Sequence, residues 1–375
     1  MIKRILVVLF LLLSLGITAS AEEYPGEDFY WEQYDLSGAG ELENYLPEDT
    51  RDYFSENGIN PRGEDWINHI SPENVFIHIW KFLRSGAKTP IAAGGGILAV
   101  ILISAAMGSM EINGSAAKTA MYATTLTAAA VISAPVFSVI SACVSAMQGC
   151  AVFMTAFVPV FAVIVASAGK SATSVSMSTL LLGASQTVSY ISNFVVVPLL
   201  GGYMAISLAS SVSPIISRSG IAEGIKKLSF WIMSLMTTLF VGILSIQTAV
   251  NASADTLSLK TAKFIIGSSV PVAGTVLSEA LTTVTASMGL LKSTVGVYGV
   301  IACCAIFLPL IAELLIWRVM LLLTVCVSDL FSLSQISAML RCVDTVMSVI
   351  TGIILLTCAM FVISLTVVVT VGKAQ

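Results

Sequence analysis

An all-α polytopic membrane protein is the fold class this sequence predicts, and three observations carry it. Hydrophobic residues make up 56% of the 375 and charged residues only 11%, with a mean hydropathy of +0.93; a soluble domain has about a quarter of its residues charged. Apolar runs of roughly 20 residues, the length that crosses a hydrocarbon core, recur from residue 90 onward. The chain also opens like an exported one.

Residues 1–21 read as a signal peptide: Lys3 and Arg4 form the basic end, Ile5 to Ile17 the apolar core, and Ala19-Ser20-Ala21 the cleavage site. An uncleaved signal anchor is the competing reading. Either way, the segment that follows is expected outside the cytoplasm.

Residues 22–70 form an acidic, aromatic, extracytoplasmic segment. Between Glu22 and Asp65 there are fourteen acidic residues against two basic ones, Arg51 and Arg62. Short of aliphatics, the stretch is not expected to bury a core of its own. It reads as a solvated tail or as a partner-binding segment that orders on contact. In the second reading Tyr30, Trp31, Tyr34 and Trp66 supply the anchoring rings and the acids steer basic partners.

Residues 71–89 predict an amphipathic helix in the membrane interface. Ser71, Pro72 and Glu73 make a helix start. Val75, Phe76, Ile79, Trp80 and Leu83 follow at helical spacing, with Lys81, Arg84 and Lys88 placed to snorkel.

Residues 90–375 are the multi-span membrane domain, with about seven to nine transmembrane or re-entrant helical segments. The clean spans are 90–109, 120–147, 190–213, 228–250, 295–317 and 345–372, and 150–168 and 318–334 read as further spans or part-spans. From residue 90 the charge balance reverses to eleven Lys/Arg against seven Asp/Glu. Arg218, Lys226 and Lys227 mark the best cytoplasmic loop. Gly94-Gly95-Gly96 and the Ala/Ser/Thr texture of 120–147 suit close helix packing or contacts in a homo-oligomer.

Two apolar stretches, 169–189 and 262–293, are heavily interrupted. Val158-Pro159-Val160 returns as Val270-Pro271-Val272, and the hydroxyl-rich run from Thr173 returns from Thr282. The layout is that of two repeats, 120–213 and 228–317, each with a broken segment at a corresponding place. Such pairs point to a membrane-embedded pathway, because broken backbone inside a bilayer persists only where it is buried in protein or meets water. A chance match among small residues is the competing reading. Pro159, Lys170, Pro271, Gly274, Glu279, Lys292 and Asp329 are the candidate pathway or gating residues. Glu279 is the sharpest, since a carboxylate in lipid must be paired or wet. Arg318 lies five residues from Glu313, which is not a favoured helical pairing.

Enzyme chemistry is not expected. Ala168-Gly169-Lys170-Ser171 ends like a P-loop, but Ile164 stands where that motif needs its first glycine. His69 and His78 are the only histidines, no triad or zinc signature appears, and the seven cysteines have no C-x-x-C spacing. Neither a cofactor nor a nucleic-acid partner is indicated, and the cysteines read as small apolar packing residues.

The run Lys263-Phe264-Ile265-Ile266-Gly267, Pro271-Val272, Gly274 and Glu279, with Lys292, Gly296 and Pro309 beyond it, resembles the stage III sporulation protein AE family of endospore-forming bacteria. The resemblance covers nearly the full chain. It implies a protein of the mother-cell membrane around the forespore. Its partners would be a cytoplasmic secretion-type ATPase, ring-forming proteins of the intermembrane space and a forespore-side channel partner. Together they would form a channel that supports forespore growth and late gene expression. The family defines no catalytic residues to carry over. Two other readings compete with a channel subunit: a self-contained secondary transporter with Glu279 or Asp329 as coupling carboxylate, and a structural anchor for the rings.

Overall fold

The structure is a computed structural model and describes residues 27–62, 86–109, 115–167, 172–212, 220–254 and 273–370. Of these, 94% are helical and none lies in a strand. Six helical stretches are long and apolar enough to cross a membrane: Lys88–Met107, Thr119–Ile164, Leu182–Ser210, Glu223–Ile246, Thr294–Leu330 and Ser334–Thr366.

A small cap comes first: α1 (Glu27–Ser37), a 3-10 helix (Ala39–Tyr45) and α2 (Glu48–Glu56). The bundle follows as α3 (Lys88–Ser109), α4 (Ser115–Ser167), α5 (Ala172–Ile191), a π-helical turn (Ser192–Val196), α6 (Val197–Val212), α7 (Gly220–Ala254), α8 (Ala273–Leu330) and α9 (Ser334–Thr370). Two boundaries drawn from sequence vanish. Residues 120–147 and 150–168 join in the 53-residue α4, because Gln148-Gly149 carries the helix through. Likewise 295–317 and 318–334 join in the 58-residue α8. Where described, both stretches read as interrupted are also continuous helix, 172–191 in α5 and 273–293 in α8. Residues 63–85, which hold most of the expected interfacial helix, lie outside the described residues.

The hairpin of α8 and α9 forms the spine. Its turn puts Ser332 in the left-handed region at φ 57°, and the Ser328 hydroxyl donates to the Leu333 carbonyl at 3.2 Å. Helix α9 is the most enclosed of the six spans and α7 the least. Helix α4 runs antiparallel to α8: Cys150 meets Cys303, and Phe153 meets Tyr298 with ring centroids 6.4 Å apart. Helix α5 returns antiparallel along α4, where Gln186 Nε2 donates to the Ala151 carbonyl at 3.0 Å. On its other side the Ser185 and Ser364 hydroxyls share a 2.7 Å hydrogen bond with α9.

The core is almost wholly apolar. Trp317, Tyr298, Phe153, Phe157, Phe307 and Phe361 are fully buried. At 1.5 Å per residue, α4 is about 80 Å long and α8 about 87 Å, against a hydrocarbon core of about 30 Å. One crossing therefore uses less than half of either helix.

Candidate functional site

The described part of the acidic segment, residues 27–62, has no separate core of its own. It docks on the bundle. Tyr34, Leu42, Leu46 and Phe54 turn inward and join the same core as α4 and α8. The apolar surface missing from its own sequence is supplied by those helices, which is the physical reason it orders. Gly38, at φ 73°, ends α1 in a conformation that favours glycine. The Ser37 hydroxyl steadies that turn by donating to the Tyr34 carbonyl at 2.7 Å.

Both of the cap's arginines are engaged. Arg51 Nη2 donates to the carbonyls of Asn44 at 2.8 Å and Leu46 at 3.2 Å. The Arg62 guanidinium lies 5.6 Å over the Trp31 ring and 6.0 Å over Tyr34. Burial pushes the Tyr34 phenol up to about 12, with Arg62 opposing the shift. Meanwhile Glu32, Asp35, Glu41, Glu48, Asp49, Asp52 and Glu56 face outward. None of them is ion-paired within the described residues.

Helix α4 presents the second feature. Its buried side is apolar: Ile132, Val136, Val139, Cys143, Met147 and Cys150. Its outer face, however, carries Thr127, Ala130, Ala134, Ser138, Ser141, Ser145 and Gln148, all exposed and at helical spacing. Leu126 and Phe137 are the bulky apolar groups beside it. Thr127 turns its hydroxyl back onto the Ala123 carbonyl at 2.9 Å. The hydroxyls of Ser138, Ser141 and Ser145 have no partner among the described residues. From Thr127 to Gln148 the strip extends about 30 Å, close to the depth of a hydrocarbon core. Helix α7 is bulkier outside: Leu228, Trp231, Leu235, Leu239 and Ile246 face outward, with Ser234, Thr238 and Ser245 exposed among them, and Thr238 and Ser245 turn their hydroxyls back onto backbone carbonyls.

The strip continues into a cleft under the cap with a volume of about 570 Å³. Val152, Thr155, Pro159 and Val160 of α4 form one wall, and Ser37, Glu41, Leu42 and Tyr45 of the cap form the other. Gln186 of α5 holds the α4 wall by donating to Thr155 Oγ1 at 2.7 Å. At the same level the Cβ position of Gly149 lies 2.7 Å from Pro47 Cγ, so the cap meets α4 where only glycine leaves room.

The residues singled out from sequence fall in different places. Pro159 lines the cleft. Asp329 sits at the α8–α9 turn, exposed, and binds Arg341 and the Ser337 hydroxyl. Arg318 pairs with Asp344 of α9 at 3.5 Å rather than with Glu313. Tyr30 and Trp31 pack edge to face at 4.9 Å, half-buried, while Tyr34 is inside. Lys170, Pro271 and Trp66 lie outside the described residues, as do the side chains of Gly274, Glu279 and Lys292. The α4 strip was overlooked because its small residues read as packing. The recurrence of hydroxyls at 127, 138, 141 and 145 was the available signal. Among the described residues no three of His, Cys, Asp and Glu converge as a metal-ligand set.

Fold and site together define a multi-pass helical membrane protein with a docked amino-terminal cap and a strip of small and hydroxyl-bearing residues on the outer face of α4. The family model of stage III sporulation protein AE matches residues 67–372, and the chain belongs to that family. It is 29% identical over 164 residues to the stage III sporulation protein AE of Bacillus subtilis (strain 168), a match that covers 43% of this chain and 41% of that relative. The chain thus matches less than half the length of this curated relative. No solved structure matches it.

Proposed function

We propose that this chain is the integral membrane core subunit of a multiprotein transport channel between mother cell and forespore, supporting forespore growth and late gene expression. Family membership ties the chain to sporulation. The observation that carries the transport reading is the α4 face. A strip of Ser, Thr, Ala and Gln about as long as a bilayer core is thick gains nothing from lipid and suits water or a second copy's equivalent strip. Around a closed ring of copies, such strips line a path that opens on the cleft beneath the cap. The protein is non-catalytic in this reading, and a cytoplasmic secretion-type ATPase supplies the energy. Ring-forming proteins of the intermembrane space and a forespore-side partner complete the conduit. The chain lies in the mother-cell membrane around the forespore with its cap outside the cytoplasm. Engagement of Asp329 by Arg341 and Ser337 argues against its serving as a coupling carboxylate in a secondary transporter.

The test is thiol accessibility in sporulating cells. Native cysteines are replaced and single cysteines are placed at Ser138, Ser141, Ser145 and Gln148, with Leu235 and Leu239 of α7 as lipid-facing controls. Labelling of the α4 positions by a membrane-impermeant reagent, and loss of that labelling without the ATPase, is the expected result. Protection equal to that of the α7 controls would sink the proposal.

A further inference from the structure

The cleft between α4 and the cap has the chemistry of a docking groove. Its walls are largely apolar, from Val152, Pro159, Val160 and Leu42, and its volume of about 570 Å³ is in the range of clefts that bind their ligands. Tyr45, 44% exposed, is a large apolar side chain that lines the groove. Glu41 sits in the groove itself.

Charge decides what fits. The outward carboxylates of the cap have no ion-pair partner among the described residues. The cap's two arginines are turned to backbone carbonyls and aromatic rings instead. An acidic cap surface of this kind repels anionic lipid headgroups, and it equally repels the same surface on a second copy. It attracts a cationic partner, whose apolar side chains the groove floor would then bury.

We propose that the groove formed by Glu41, Leu42, Tyr45, Val152 and Pro159 binds a basic, amphipathic segment of another protein. The inference deepens the channel reading by giving the cap a partner of stated chemistry, but the groove's binding does not depend on transport.

Two measurements test it. The full chain is placed in phosphatidylcholine nanodiscs and titrated with a fluorescent amphipathic Leu/Lys helical peptide, with its Leu/Glu counterpart as control. The Leu/Lys peptide should bind and the control should not. Affinity should fall about tenfold as salt rises well past physiological strength, and about fivefold with Glu41→Gln, a change small enough to spare the fold. Equal binding of both peptides, or binding indifferent to salt and to Glu41→Gln, overturns the proposal. In sporulating cells, a photo-crosslinking phenylalanine analogue at Tyr45 should capture one protein through a segment that mass spectrometry shows to be net basic and apolar. Capture of lipid, of a second copy, of the chain's own residues or of an acidic segment overturns it. Loss of α4 thiol labelling with groove binding intact removes the channel reading alone, and the reverse pattern removes the groove alone.

Discussion

Phe54 of the cap and Tyr298 of α8 meet edge to face with ring centroids 5.5 Å apart, and both rings are fully buried. This contact joins the acidic amino-terminal segment to the longest helix of the bundle. Truncating either ring removes a large apolar contact and leaves a cavity, at a cost of about 3–5 kcal/mol. Phe54→Ala is expected to release the cap while the bundle stays assembled. Amide hydrogen exchange of residues 27–62 in detergent-solubilised protein should rise sharply, with α9 unchanged. Cap protection equal to that of the parent protein would show that the contact is dispensable.

The approach of Pro47 to Gly149 gives a second, purely steric lever. A Cβ at 149 would stand 2.7 Å from a proline ring that cannot swing away. Gly149→Val is therefore expected to lift the cap's middle off α4 and open the cleft. The readout is protease clipping within 39–56, faster by about an order of magnitude or more if roughly 1.5 kcal/mol or more of docking is lost. Clipping at the parent rate would refute the close approach.

The cap should also come loose in alkali. Burial raises the Tyr34 phenol from its ordinary 10 to about 12, so the docked form keeps its proton where the undocked chain gives it up. The stability tied to that proton is complete below about pH 10 and falls as pH climbs toward 12. The protection factor of the cap's amides, which removes the intrinsic rise of exchange with pH, should fall across this window in the parent, and Tyr34→Phe should reduce that fall, leaving the part due to Tyr53, whose phenol burial also raises. A variant with the same pH dependence would point to another group.

Asp329 is expected to be replaceable. It lies exposed at the α8–α9 turn, held by Arg341 at 2.5 Å and by Ser337. Exposed pairs of this kind contribute little. Asp329→Asn keeps the hydrogen bond to Ser337 and should leave heat-resistant spore counts near those of the parent strain. A loss of several orders of magnitude would revive the coupling-carboxylate reading.

A covalent probe checks the pairing of α4 and α8. The sulfurs of Cys150 and Cys303 are 3.7 Å apart. Iodine, a small oxidant soluble in apolar phases, should convert the two thiols to a disulfide, each sulfur giving up its proton as iodine is reduced to iodide. Mass spectrometry should recover the linked peptides, and Cys150→Ser should eliminate them. Cys303 joined instead to a cysteine outside α4 would refute the pairing.

The spans were legible because lipid makes a simple demand: about 20 apolar residues in a row. Their joints were less so. Pro135 and Pro159 both sit inside α4, and proline is tolerated in apolar helices whose neighbours satisfy the freed groups. The cap was illegible as a docked element, since an acidic stretch shows no core and the surface completing it lies about a hundred residues away on Gly149 and Val160 and about 240 away on Tyr298. The α4 strip was visible as composition but not as direction. A serine faces inward or outward according to which partners a helix has, and only the fold supplies those.

Helices α4 and α8 are rods more than twice as long as the hydrocarbon core is thick, and the cap is fastened beyond the midpoint of α4, at Gly149 and Val160, and near the middle of α8, at Tyr298. Such a rod behaves as a lever. A small tilt where it crosses the bilayer becomes a larger sideways travel at the far end, so motion imposed from one side of a membrane is delivered, amplified, to whatever holds the other.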